Sequence, residues 1–463
     1  MSSELEAGKA HSLDSSNAPD EGMDLNLSIE NGCGAITSVD APCEAAWPQG
    51  SLGDFIELKR GYDLPQAKRC TGDVPLISSS GHSDFHNVAM VKGPGVVTGR
   101  YGTIGQVFYV GADFWPLNTT LYVRDFKGND PKFISYFLKT IDFLAYSDKA
   151  AVPGVNRNHL HEAIVSMPPL DIQLEIAEVL GALDDRITLL RETNATLEAM
   201  AQALFKSWFV DFDPVHANAG TRAATLPAQL QALFPDSFED SALGRIPKGW
   251  TVSTVEDFAE RVGMGPFGSN IKVETFVDKG VPVISGQHLK MSLVEDNTFN
   301  FITEEHAQRL NKSCVIAGDV IFTHAGSIGQ VSLLHRNALY TSYVLSQRQF
   351  FLRCKTDLMS PEWITHYFRS PVGQHQLLAN TSQVGVPSIA RPVSYLRSIR
   401  LVVPPPSLTK EFSVICDSFN TKTLEIRKQI STLSTLRDTL LPRLISGQLR
   451  LPDAEAALAE VGV

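Results

Sequence analysis

The chain has 463 residues, 43% of them apolar and 20% charged, which is the balance of a soluble globular protein longer than one hydrophobic core usually serves. No run of eighteen apolar residues predicts a membrane span, and no basic-then-apolar start predicts a signal peptide. The formal charge of −11 is concentrated at one end: residues 1–46 hold nine acids against Lys9, while the remainder carries forty-two acids and thirty-nine bases. With a nearly neutral body, whether a local face binds phosphate depends on how the bases are distributed and not on the global charge.

In chain order, residues 1–46 are rich in Ser, Gly, Ala and Asp and read as a disordered acidic tail. The six cysteines (Cys33, Cys43, Cys70, Cys314, Cys354, Cys416) are scattered without a CxxC pair, which argues against structural zinc and for a reduced, cytoplasmic protein. A first globular segment, 47–166, begins near Trp47-Pro48-Gln49-Gly50 and contains short apolar runs (Val96-Val97, Val107-Phe108-Tyr109-Val110) bounded by Gly and Pro, the pattern of short strands. Residues 131–146 predict a helix opening after Pro131. Pro168-Pro169 then introduces a long helix within 167–209, and 210–245 reads as a linker.

The second half repeats this order. Its globular segment, 246–402, begins near Ile246-Pro247-Lys248-Gly249-Trp250, carries the strand pattern Val320-Ile321-Phe322, and predicts a helix over 361–379. Val74-Pro75-Leu76-Ile77 returns as Val281-Pro282-Val283-Ile284, and Thr103-Ile104-Gly105-Gln106-Val107 as Ser327-Ile328-Gly329-Gln330-Val331. Pro404-Pro405 opens a second long helix within 403–446, followed by a C-terminal tail, 447–463. A duplicated unit can fold with pseudo-twofold symmetry, which suits a target with two separated parts.

The two long helices carry the clearest pattern. Ile176, Leu183, Leu190, Leu197 and Leu204 mark a heptad seam in the first, and Phe412, Phe419, Ile426, Leu433 and Leu440 mark one in the second. The two sets align without a gap at an offset of 236 residues, which predicts helices of roughly 36 residues, about 54 Å long. A lone helix of that length needs an apolar partner in water. The economical expectation is an antiparallel coiled-coil pair separating the two domains; the alternative is that each helix packs on its own domain. Asn194 on the seam either fixes register or marks a hydrated site.

Familiar catalytic patterns are missing. Gly263-Met264-Gly265-Pro266-Phe267-Gly268 matches GxGxxG, but Pro266 removes a backbone donor and strand signals follow, so a tight turn is expected. Asp40 with Glu57-Leu58-Lys59 has a tolerable nuclease spacing, yet Asp40 lies in the acidic tail. HExxH, Walker A and GxSxG motifs do not occur. What remains are two small-residue loops, Thr98-Gly99-Arg100-Tyr101-Gly102-Thr103-Ile104-Gly105 and His324-Ala325-Gly326-Ser327-Ile328-Gly329. Their glycines and donors suit close approach to phosphate, and the same features describe a strand-connecting turn.

Several stretches resemble the specificity subunits of type I restriction-modification systems. Pro169-Leu170-Asp171-Ile172-Gln173 resembles the opening of the family's conserved helix, and Ala203-Leu204-Phe205-Lys206-Ser207-Trp208-Phe209-Val210-Asp211-Phe212-Asp213-Pro214-Val215 its central junction. Leu233-Phe234-Pro235-Asp236-Ser237-Phe238 through Gly249-Trp250 resembles the linker into the second recognition domain. Leu436-Arg437-Asp438-Thr439-Leu440-Leu441-Pro442-Arg443-Leu444-Ile445-Ser446-Gly447 resembles the distal conserved region, and Gly265-Pro266-Phe267-Gly268-Ser269 is similar to stretches found in recognition domains. The resemblance runs over roughly 47–450. Ser407-Leu408-Thr409-Lys410 departs from it by lacking the Gln that usually follows the proline pair.

The resemblance implies an α+β chain in which two α/β target recognition domains are joined by two long antiparallel coiled-coil helices, a pseudo-twofold duplicated architecture. It implies a non-catalytic subunit that reads a bipartite double-stranded DNA site and docks two methyltransferase subunits, with restriction and motor subunits joining. S-adenosylmethionine, ATP and Mg are expected on those partners, none on this chain, and no metal site or membrane contact is expected. The DNA-facing candidates are Arg60, Tyr62, Ser78, Ser79, Arg100, Tyr101 and Arg157 in the first domain, and Ser269, Asn270, Gln287, His288, His324, Ser327 and Arg391 in the second. Arg and Gln suit bidentate base reading; Ser, Tyr and loop backbone suit phosphate. Two other classes remain open at this point: an autonomous restriction-class enzyme with an unrecognised site, and a duplicated protein-binding scaffold.

Overall fold

The computed structural model describes residues 47–148, 154–268, 270–296, 298–382, 385–460 and 462. The acidic tail and Ser269 therefore lie outside the described residues, and so does Asp40.

Each half begins by pairing its first strand with its last. Gln49–Ser51 runs antiparallel to Ile164–Ser166, and Thr251–Thr254 antiparallel to Arg400–Val403. In both, the first strand enters a single helical turn through a reciprocal cap, Ser51 with Asp54 and Thr254 with Asp257. A four-stranded antiparallel sheet follows. In the first domain its order is Glu57–Arg60, Thr120–Asp125, Gly95–Gly99, Val107–Val110; in the second it is Ala259–Met264, Gln349–Cys354, Val320–Thr323, Val331–Leu333. A smaller sheet packs beside each and contains the repeated Val-Pro strand. Val74–Ser78 lies parallel to Trp115–Pro116, and Val281–Ile284 lies parallel to Tyr343–Leu345. Strand order and direction thus repeat although most loop residues differ.

The helices over 131–146 and 361–379 are interrupted. The first spans Pro131–Lys139, capped by Asp130, before a separate 3₁₀ turn at Phe143–Tyr146. The second stops at Arg369, and a new helix spans Pro371–Leu378. Pro371 lacks the N–H that would continue the ladder, and Ser370 accepts a hydrogen bond from Gly373 as the new N-cap.

The two long helices, α1 (Leu170–Phe209) and α2 (Pro406–Ile445), each contain 40 residues, and both their starts and their ends are 236 residues apart. Pro169 and Pro405 sit at the N-caps. The helices pack antiparallel. Residues 176–190 of α1 share a core with residues 426–445 of α2 and the first domain, whereas 201–209 share one with 408–424 and the second domain. Phe412 shows the crossing directly, with its ring centroid 5.6 Å from that of Phe205 and 5.3 Å from that of Phe209. Along the seam Ile176, Leu183, Leu190, Phe412, Ile426, Leu433 and Leu440 are buried, while Leu197, Leu204 and Phe419 are partly buried. Lys422 and Gln429, which interrupt the heptad rhythm, point to solvent. Asn194 is buried, and its Oδ1 has no hydrogen-bond partner.

The C-terminal tail contributes a further helix, α3 (Leu451–Glu460), which inserts Ala454 and Leu458 into the core that holds the first domain on α1. Among the described residues no helix is long and apolar enough to cross a membrane.

Candidate nucleic-acid interface

In each domain the loops singled out by sequence converge on one short turn that the sequence reading did not single out. In the first domain this is 117–119. Tyr62 N–H donates to Pro116 O (2.8 Å), Leu117 N–H to Ile77 O (2.8 Å), and both Arg100 and Tyr101 N–H to Thr119 O (2.9 and 3.2 Å). In the second domain it is 346–348. Gly265 N–H donates to Gln349 O (2.8 Å), Ser346 N–H to Ile284 O (2.8 Å) and His324 N–H to Arg348 O (2.9 Å). The approach is close enough to demand glycine at one position in each: a methyl group on Gly61 would fall 2.2 Å from Leu117 O, and one on Gly265 1.8 Å from Ser346 O.

These hydrogen bonds place the two domains in register. Arg100 stands where His324 stands, Thr119 where Arg348 stands, and Asn118 where Gln347 stands. The recurrent glycine loops are the hairpins beside this turn, connecting Gly95–Gly99 to Val107–Val110 and Val320–Thr323 to Val331–Leu333. Gly102 and Gly105, like Gly326 and Gly329, have left-handed backbones, and Ile104 and Ile328 N–H donate to Gly102 and Gly326 O at 3.2 and 2.8 Å. The loops are therefore structural turns that also carry exposed donors.

The first-domain candidates cluster. Arg100 lies over the Tyr101 ring at 4.5 Å. Ser79 borders the loop, its Oγ 3.4 Å from where a methyl on Gly102 would sit. Ser78 Oγ donates to Gly81 O at 3.0 Å. Tyr62 Oη lies 2.9 Å from Tyr122 Oη, leaving its ring half-buried beside the turn. Val155 N–H donates to Arg100 O (3.0 Å), which brings in Arg157, exposed at the first position of the helix Arg157–His161. Arg60 is exposed at the end of its strand.

The second-domain candidates are more dispersed in character. Ser327 is exposed at the loop tip, and Gln287 is exposed in the turn Gly286–His288. Asn270 Nδ2 donates to Phe267 O across an exposed turn. Arg391 is exposed with a left-handed backbone (φ +48) and caps the helix Pro392–Ser398. His324 is half-buried, its Nε2 3.1 Å from Gln347 O; burial pushes its imidazole below the usual range, so it stays neutral at pH 7. His288 does not face outward. It is 1% exposed, its ring sits 4.4 Å from Phe299, and its Nδ1 accepts from Ser285 N–H at 3.0 Å, so it holds its turn together from inside.

Glu57, weighed above for metal chemistry, is bound by Arg124, whose Nε donates to Glu57 Oε2 at 2.9 Å. Gly263 lies in the strand Ala259–Met264 and no helix opens in the Gly-rich run, so the GxGxxG match is a strand and turn.

This is a duplicated, two-headed frame with one loop cluster on each head. A family model described as "Type I restriction modification DNA specificity domain" matches residues 44–199, the first domain with most of α1. The HindI specificity subunit of Haemophilus influenzae is 24% identical over 87% of this chain and 99% of its own length. The MjaIX specificity subunit of Methanocaldococcus jannaschii is 22% identical over 88% of this chain and 94% of its own. Among solved structures, the type I restriction-modification S subunit of M. genitalium aligns with a TM-score of 0.49 at 16% identity, covering 88% of this chain and 98% of that one. The first domain with most of its long helix thus matches the DNA specificity domain of type I restriction-modification systems, and the chain over most of its length is similar to specificity subunits of such systems.

Proposed function

We propose that this chain is a specificity subunit of a type I restriction-modification system and reads a bipartite, asymmetric DNA sequence, one half with each domain. The observation that carries the reading is that two like domains, with unlike loop residues around the same turn, are held at opposite ends of one antiparallel helix pair. A 40-residue helix is about 60 Å long at 1.5 Å per residue, the span of roughly 17 base pairs at 3.4 Å each. Bases between the two heads are then left unread. The exposed faces of α1 and α2 dock two methyltransferase subunits, and restriction and motor subunits complete the complex. S-adenosylmethionine, ATP and Mg act on those partners, in the cytoplasm, and this chain contributes recognition.

Each domain contributes Arg and polar side chains suited to base edges and loop N–H groups suited to phosphates. The test is to co-express the chain with its methyltransferase subunit and sequence the host methylome. A modified bipartite motif that disappears on deleting this chain is the expected result; an unchanged methylome rejects the reading.

A further inference from the structure

The structural register between the domains exposes a displaced arginine. In the first domain a guanidinium is carried on the glycine-loop strand, at Arg100, and the neighbouring turn position is Thr119, whose Oγ1 is buried without a partner. In the second domain the residue types differ at both positions: the loop-strand position is His324, half-buried and tied to Gln347 O, and the turn position is Arg348. The two positions are hydrogen-bonded neighbours in each domain, Arg100 N to Thr119 O and His324 N to Arg348 O, both at 2.9 Å. The same region of each head therefore receives one arginine, supplied from adjacent backbones.

Arg348 is placed to use it. The side chain is exposed and forms no ion pair or hydrogen bond among the described residues. It lies over the second glycine loop, where a methyl group on Gly326 would come within 3.2 Å of its Nη1. The turn beneath it is tied down on both sides by hydrogen bonds. Gln349 is 1% exposed, and Ser346 Oγ donates to its Oε1. On the other side Gln347 Nε2 donates to Gly268 O. A free planar fork on a fixed turn suits bidentate recognition, because little conformational freedom is lost when it engages. The polar run Ser346-Gln347-Arg348-Gln349 between apolar strands is visible in the sequence, but only the hydrogen-bond register equates it with the Arg100 region.

The geometry points to Arg348 as a specificity-determining residue of the second domain, reading a base edge in the half-site that this domain contacts. This rests on the reading of the chain as a bipartite DNA reader. The assay uses the complete complex in its host, with Arg348→Ala and Arg348→Lys, and scores the methylated motif. Both variants are expected to relax one base position of a single half-site, discrimination there falling roughly ten- to a hundredfold, while the other half-site stays strict. The intact half also reports that the variant subunit folds. Lysine keeps the charge and loses the fork, so a phosphate contact predicts a different outcome: uniform loss for alanine and recovery for lysine, which would overturn the assignment. A chain-dependent bipartite motif unchanged in both variants overturns the role of Arg348 alone. No chain-dependent bipartite motif in the unmodified strain overturns the underlying reading, and Arg348's role with it.

Discussion

Arg437 on α2 donates from Nη1 to Asp184 Oδ1 on α1 at 2.7 Å, across 253 residues of sequence. The other carboxylate oxygen accepts from Tyr136 Oη of the first domain, also at 2.7 Å. One half-buried carboxylate thereby joins three elements: both long helices and the domain seated on them. At the far end the task falls to unlike residues. Glu198 of α1 accepts from Ser292 N–H (3.0 Å) and pairs with Arg369, while Arg427 of α2 donates to Val294 O (2.8 Å). The seam of the helix pair repeats, whereas the ties that orient each head on it do not.

Asp184→Ala should therefore destabilise the protein by about 2–3 kcal/mol in urea unfolding, since a charge-assisted bond is lost and Tyr136 and Arg437 lose their acceptor. A double-mutant cycle with Arg437→Ala should show coupling on the order of 1 kcal/mol. The pH dependence has a definite sign. Burial raises the Asp184 pKa, but hydrogen bonds from Arg437 and Tyr136 outweigh it and hold the carboxyl below its usual range. Its contribution is complete above the unfolded value, about pH 4, and is lost as pH falls from there through the depressed folded value. A pH-independent loss in Asp184→Ala would contradict this.

Glu198→Gln tests the second tie. Arg369 would keep its bond to Val331 O (2.9 Å) but lose its counter-charge, and Arg427, half-buried nearby, would lose a stabilising negative field. The expected cost is about 2 kcal/mol by chemical denaturation. If each domain reads one half of a bipartite site, as proposed, the methylated motif should weaken on the second domain's half and hold on the other. Equal weakening of both halves would show that Glu198 supports the frame as a whole.

The legibility of this fold in its sequence follows from which interactions are periodic. The helix pair was readable because Ile176 through Leu204 and Phe412 through Leu440 repeat every seven residues, and an apolar repeat of that length has few ways to be buried. The duplicated strands were readable from Val74-Pro75-Leu76-Ile77 and its copy. The turns at 117–119 and 346–348 were not, because the contacts that equate them are made by backbone groups; the polar run at 346–349 and the glycines Gly61 and Gly265 are visible but do not by themselves pair the two turns. His288 was misplaced outward for a similar reason: its Gly286-Gln287-His288 context is polar, and its partner Phe299 lies eleven positions on. The α3 helix is hard to read from sequence because its ten residues bring only Leu451, Ala454 and Leu458 to the core, too short a stripe to show a period.

Asn194 offers a test of cost against specificity on the seam. Its Oδ1 is buried without a partner, while its neighbours on the same stripe, Leu190 and Leu197, are apolar. Asn194→Leu should raise unfolding free energy by about 1 kcal/mol, the order of the penalty for an unsatisfied buried acceptor. A loss of stability would instead indicate a hydrating water at the site, which leucine would displace.

His366 supplies a pH signature unlike that of Asp184. It is 2% exposed in the core where the second domain meets both helices, its ring perpendicular to that of Phe412 with centroids 5.6 Å apart, and its Nδ1 donates to Gln202 Oε1 at 3.1 Å. Burial pushes its pKa down to about 3, with the charge of Arg369 acting in the same direction. In the unfolded chain the same imidazole titrates near pH 6.5. Between those values the unfolded state binds a proton that the folded state refuses, so stability declines as pH falls through this window. One such group contributes a slope of about 1.4 kcal/mol per pH unit. The slope of unfolding free energy between pH 6 and pH 4.5 should therefore be smaller in His366→Asn than in the parent by roughly this amount, whatever the variant's absolute stability. Parallel slopes would mean that His366 is protonated in the folded protein, which its apolar surroundings and single neutral acceptor, Gln202, argue against.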